Sequence, residues 1–175
     1  ITYIRSNALV DSGESYTVVS LATQANVQQL AAAGENYPGW ITDRYLQLPS
    51  EITPRTRQLA QELTAEYDNT FDKARAIEVF LRTQIKYNEK IAAPPDGVEK
   101  VDYIVFEAKE GYCNYYASAM IMMLRTLGIP ARMAAGFAQG TWNAETQQYT
   151  VLERDAHTWV EMYFPGYGWI EFEPT

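Results

Sequence analysis

One cysteine and one histidine are all that this chain of 175 residues contains of either type. A lone cysteine forms no internal disulfide and rules out a four-cysteine metal site, and a single imidazole is poor material for a mixed one. Basic residues are also few: 14 Lys and Arg against 22 Asp and Glu give a formal net charge of −8, with no Lys/Arg block. Nucleic acid and anionic lipid are therefore poor fits as main partners. No apolar run approaches the ~18 to 20 residues of a membrane span, and no signal peptide is visible. The chain begins at Ile1 without a methionine and ends at Thr175 just after a strand-like segment, so it reads as a piece of a longer protein.

What is present suits one compact domain with an accessory lobe: hydrophobic residues make up 47%, aromatics 13%, and there are 13 Tyr. Residues 1–50 read as the accessory segment and 51–175 as the core. In the first, Tyr16 to Leu21 is strand-like, Ala22 to Ala33 a short helix ended by Gly34, Pro38-Gly39 a break, and Ile41 to Pro49 irregular. Two helices then start well. Thr53-Pro54 pairs a cap with a first-turn proline ahead of Leu59, Ala60, Leu63 and Tyr67. Thr70 caps a second, whose Ala74, Ile77, Phe80, Leu81 and Ile85 define one buried face.

Lys90 to Gly111, with Pro94, Pro95 and Gly97, reads as a long crossing loop and a candidate cleft wall. From Cys113 a helix follows that is apolar on most sides (Ala117, Met120, Ile121, Leu124), stopped by Gly128 and Pro130. The period then changes to two. Ala131 to Phe137, Tyr149 to Glu153, Thr158 to Phe164 and Trp169 to Glu173 read as strands whose short connections make them antiparallel neighbours. The expected class is α+β, helices first and an antiparallel sheet last.

Cys113 stands where a Gly-Tyr loop meets the apolar helix. Free amides and partial positive charge at a helix start favour a thiolate, and the Cys113 N–H can point at a developing oxyanion. A buried, inert cysteine is the competing reading. His157 opens the third of these strands and is the only imidazole able to serve a cysteine nucleophile as base. The orienting acid is open at this level. A hairpin loop of Gly166 to Gly168 pairs Pro165 with Trp169, sets Glu161 opposite Glu173 and Tyr163 opposite Glu171, and puts both C-terminal glutamates on the face of His157. A loop one residue shorter turns both away. Glu173 lies nearer the His157 end than Glu171, and Asp155 and Glu153 compete through closeness in sequence.

These residues form ordered blocks. Gly111-Tyr112-Cys113, Ala117, Leu124 to Arg132 and Gly136-Phe137 closely resemble the cysteine half of the transglutaminase-like superfamily. Asp155 to Glu161 and Gly168 to Thr175 resemble its histidine and acid motifs. The resemblance implies a papain-like core, with the cysteine helix packed on a sheet that carries histidine and acid. The family's usual acid is Asp followed by Pro. Here Glu173 precedes Pro174, one methylene longer.

Tyr37-Pro38-Gly39-Trp40, Tyr45 to Pro49 and Ala74 to Glu78 further resemble the extracytoplasmic domain of bacterial multi-spanning membrane proteins. That likeness implies an external compartment and a membrane-embedded parent. The expected activity is acyl transfer on peptide or glutamine-type amides through a thioester at Cys113, resolved by water or by a lysine amine. Peptide or protein is the expected substrate, cell-envelope material a further one, with no cofactor and no calcium dependence. The rival reading is a non-catalytic ectodomain that binds peptide or cell-envelope material.

Overall fold

The computed structural model describes residues 11–19 and 23–175. In chain order come α1 (Val27–Ala31), α2 (Gly39–Tyr45), α3 (Pro54–Thr64), α4 (Thr70–Gln84) and β1 (Lys86–Tyr87). Next are α5 (Lys100–Asp102), which runs on as a π-turn over Tyr103–Ala108, β2 (Glu110–Gly111) and α6 (Cys113–Thr126). β3 (Ala131–Phe137), β4 (Thr141–Asn143), β5 (Gln148–Thr150), β6 (Ala156–Phe164) and β7 (Gly168–Phe172) complete the chain. The architecture is α+β, with the cysteine helix packed on an antiparallel sheet ordered β3-β6-β7.

The period-two strands explain the layering. On β6, Thr158, Val160, Met162 and Phe164 are buried while His157, Trp159, Glu161 and Tyr163 stay partly exposed. Val160, Met162 and Phe164 meet Ala117, Met120, Met123 and Leu124 of α6 in one core, together with Ile77 and Leu81 of α4. Val160, Met162 and Phe164 are fully covered, and burial of each stabilises by about 1.5–3 kcal/mol over leaving it in water. The opposite face carries α2, where Trp40 packs edge-on to Tyr163 and Tyr45 edge-on to Trp169. Arg132 lies 4.0 Å over the Trp169 ring and donates to Glu161. The His157 end of that face is left open.

Several local expectations are corrected. Of the segment Tyr16 to Leu21, Ser20 and Leu21 lie outside the described residues, and Tyr16 to Val19 form no strand. Ala22 also lies outside them, and the helix starts at Val27 because Asn26 and Gln29 form a reciprocal capping box. Pro38 caps a helix instead of breaking the chain, since Ile41 and Tyr45, one turn apart, are respectively fully buried and packed edge-on to Trp169. Thr53 accepts from Thr56 N as expected, but the buried stripe of α3 is Thr56, Ala60 and Thr64, and Tyr67 is exposed. Asn69, one residue before Thr70, caps α4.

Lys90 to Gly111 is only half a loop. Val101, Ile104 and Val105 recur at helical spacing and are buried, and the Glu99 carboxylate caps their helix. In the last region β4 and β5 pair only with each other, so the central sheet skips from β3 to β6. Every residue of β4 and β5 is exposed, and without a buried face nothing draws that hairpin into the sheet.

Candidate active site

α6 starts at Cys113 because Tyr112 is still extended and the apolar run begins with the next turn. The Cys113 thiol is part-exposed, and its hydrogen-bond contact is to the Asn114 Oδ1 of its own helix at 3.8 Å. Beside it, β1 runs parallel to β2 and sets Tyr87 opposite Gly111. Burial pushes the Tyr87 phenol up to about 12, and its Glu89 acceptor and the charge of Cys113 add to the effect.

His157 enters from the other element. Its Nε2 lies 2.6 Å from Glu173 Oε2. With Glu173 ionised, Nε2 carries the proton and donates, and Nδ1 is the ring atom left for other work. Trp159, two residues along the strand, lies nearly parallel to the imidazole at 6.4 Å. Gly136, opposite His157 on β3, makes room for it: a Cβ there would come within 3.0 Å of the indole.

The hairpin that carries the acids turns at Pro165, Gly166 and Tyr167, with Phe164 paired to Gly168. Of the two loop lengths open from the sequence it is the three-residue one, but formed one position earlier, so that relative to a Gly166 to Gly168 loop the register is shifted by two. Glu161 faces Glu171 rather than Glu173, and Tyr163 faces Trp169 rather than Glu171. Buried Phe164 keeps β6 paired to its end, and Gly168, at φ 83°, supplies the left-handed residue that lets β7 begin there. A shift of two preserves parity, so both glutamates still share the His157 face.

Among the candidate acids, Glu173 is the one bonded to the imidazole. Asp155 instead accepts from Leu152 N and closes the short turn before β6. Glu171 is exposed on the cavity wall, and Glu153 lies in the exposed turn.

Cys113 and His157 are joined indirectly. Thr158, buried on the α6 side of the strand, donates to Asn114 Oδ1 at 2.9 Å, so the residues next to the thiol and next to the imidazole are bonded to each other. Among the described residues no hydrogen bond links Cys113 Sγ to the imidazole. A cavity of about 940 Å³ opens on the other side of His157, lined by Trp159, Glu171, Glu173, Phe137, Glu78 and Arg82 among others, and Cys113 does not line it. A second cavity, of about 510 Å³, lies between α3 and α4 and shares Arg75 with the first.

Behind Glu173 is a layer that sequence reasoning missed. Glu78 is buried, accepts the Glu173 N–H at 2.9 Å and pairs with Arg75 through its other oxygen. Arg82, one turn along α4, donates to the Glu173 carbonyl at 3.4 Å, and Thr175 N donates to Glu173 Oε1 at 3.0 Å. One signal for Glu78 was present: it falls on the apolar stripe of Ala74, Leu81 and Ile85, where a carboxylate is out of place. Asn114 and Thr158 carried no comparable mark.

A helix-start cysteine, a histidine on the sheet bonded to a glutamate just past its last strand, and a helix-on-sheet core define the papain-like class of fold. Residues 57–174 match the transglutaminase-like superfamily, and the chain belongs to that family. Over 140 residues it is 43% identical to the uncharacterized protein YebA of Bacillus subtilis, covering 77% of this chain and 19% of that protein. It is 38% identical over 133 residues to a protein-glutamine gamma-glutamyltransferase of Pseudomonas aeruginosa, covering 75% of this chain and 20% of the enzyme. The chain thus spans about a fifth of the length of these relatives. The crystal structure of the periplasmic domain of TgpA from Pseudomonas aeruginosa superposes with a TM-score of 0.68 at 33% identity, over 80% of this chain and 48% of that one. No helix among the described residues is long and apolar enough to cross a membrane.

Proposed function

We propose that residues 51–175 form the catalytic core of an acyl-transfer domain that acts on glutamine-type or peptide amides. Cys113 is the nucleophile, His157 its base, and Glu173 the residue that orients the imidazole. The observation that carries this reading is the 2.6 Å contact of His157 Nε2 with Glu173. It holds the ring in the tautomer whose Nδ1 can take the thiol proton.

In the first step the Sγ–acyl bond forms, the amide C–N bond breaks, and the leaving ammonia or amine departs with the proton held by His157. Water or a lysine amine then attacks the thioester and frees Cys113. The Cys113 N–H at the start of α6 is placed to donate to the oxyanion of each addition. Contact between Cys113 and His157 is the element that substrate binding has to complete, as catalytic hydrogen bonds often tighten only in the complex.

The name of the Pseudomonas relative supports glutamine as the acyl donor, and the periplasmic TgpA domain supports an extracytoplasmic position within a membrane-embedded parent. A second reading, a binding ectodomain for peptide or cell-envelope material, is favoured by one fact: Cys113 Sγ contacts Asn114 and not the imidazole.

The test is to incubate wild type and Cys113→Ala with mixed Gln- and Lys-containing peptides and follow ammonia, cleavage and cross-linked product. Turnover should vanish in Cys113→Ala while peptide affinity is unchanged. Ammonia with Gln–Lys product marks a transglutaminase, and cleavage without ammonia a peptidase. Wild type and variant that bind alike and turn nothing over leave the binding ectodomain.

A further inference from the structure

We propose that Glu78 is a positioning residue for the candidate acid: it fixes the main chain of Glu173 so that the Glu173 carboxylate meets His157 Nε2. The inference rests on the role of Glu173 given above and extends it to a residue 95 positions earlier in the chain.

A carboxylate as covered as Glu78, 3% exposed, is costly unless its oxygens are satisfied. Both are. Oε1 accepts the Glu173 N–H at 2.9 Å and Oε2 pairs with Arg75, which is itself half exposed. β7 ends at Phe172, so Glu173 lies beyond the strand ladder and has no strand partner to hold its backbone. α4 takes over that task from two positions one turn apart, Glu78 on the Glu173 N–H and Arg82 on the Glu173 carbonyl. The side chain is fixed in turn by Thr175 N on Oε1, which leaves Oε2 for the imidazole.

Glutamate has one more rotatable bond than aspartate. Each anchor therefore removes freedom that would let the carboxylate leave Nε2. Glu78 touches neither His157 nor a reacting atom. Its influence passes through Glu173 alone.

His157 is the one histidine of the chain, so its imidazole N–H gives a single, self-assigned resonance in protein labelled with 15N-histidine. In wild type that proton should exchange slowly. Glu78→Met keeps the length and volume but removes the acceptor, and should speed exchange about tenfold, the weight of one hydrogen bond. Glu78→Gln keeps an acceptor for the Glu173 N–H and should restore the slow rate. Arg82→Ala, at an exposed position, removes the other anchor and should also speed exchange. Unfolding curves confirm that each variant is folded.

On turnover, Glu78→Met should lower kcat by about 10²-fold with KM unchanged, and should add nothing in a Glu173→Gln background, where the orienting contact is already weakened. Wild-type exchange rates in folded Glu78→Met overturn the proposal. Should that variant not fold, wild-type rates in Arg82→Ala overturn it. Wild type with no Cys113-dependent turnover would remove the enzymatic reading, while the exchange rates would still decide whether Glu78 positions Glu173.

Discussion

Asp102 and Glu78 are the two buried carboxylates of the described residues, and each is paired with an arginine about half exposed. Up to that point they are alike. Asp102 gives both oxygens to the helical layer: Oδ2 accepts from Arg55 Nε at 2.6 Å and from Thr53 Oγ1 at 2.5 Å, while Oδ1 takes the Arg55 Nη2. It clamps α3 to α5. Glu78 gives one oxygen to its arginine and the other to the backbone of Glu173, and so to the candidate site. Burial and charge alone therefore do not mark a functional residue. What sets the two apart is where the second oxygen goes, to a helix cap for Asp102 and to the Glu173 backbone for Glu78.

The largest expected effect separates the two on stability. Asp102→Ala should cost about 2 kcal/mol in urea unfolding, since it strips three charge-assisted contacts and leaves Arg55 with Glu107 and the Phe106 ring. The His157 N–H exchange rate should not change, and a change there would erase the distinction.

A pH series sharpens the same contrast. The Arg55 guanidinium beside Asp102 holds its carboxyl below the ordinary carboxylate range. A carboxyl depressed in the fold contributes stability that is fully present above its unfolded value of about 3.9 and is lost as the pH falls through the folded value. The stability gap between wild type and Asp102→Ala should thus be constant near neutrality and narrow as the pH drops below about 4. A gap that widens in acid would contradict the clamp.

The smallest effect concerns the counterpart of Glu78 on the cysteine side. Thr158→Val removes the buried hydroxyl that ties β6 to Asn114 and should cost about 1 kcal/mol, because the exposed Asn114 amide is resolvated by water. A loss well above that would make the link structural in the manner of Asp102.

Much of the core was legible. The start of α6 at Cys113, the stripe of α4 and the extent of β3 follow from short-range rules of capping and periodicity. Failures clustered where a partner far along the chain decides. Trp40 and Tyr45 sit on a helix whose aromatic partners, Tyr163 and Trp169, lie on the sheet more than a hundred residues later. The hairpin of β4 and β5 is strand-like by residue type, yet it is excluded from the sheet for lack of a face to bury. Among the acids, composition offered four. Asp155 was taken by its own turn and Glu171 by exposure, choices that no spacing rule could make.

The sequence by itself determined the two halves of the site. It placed a cysteine at the head of an apolar helix and a histidine at the mouth of a strand, and left the face of the C-terminal glutamates to the length of one hairpin loop. Tertiary structure decided everything that joins those halves. The Thr158–Asn114 bond, the His157–Glu173 contact and the Glu78–Glu173 bond are contacts between residues 44, 16 and 95 apart in the chain. Periodicity is written in neighbours, whereas a hydrogen bond over such separations depends on how helices and sheet dock, which local propensity does not encode.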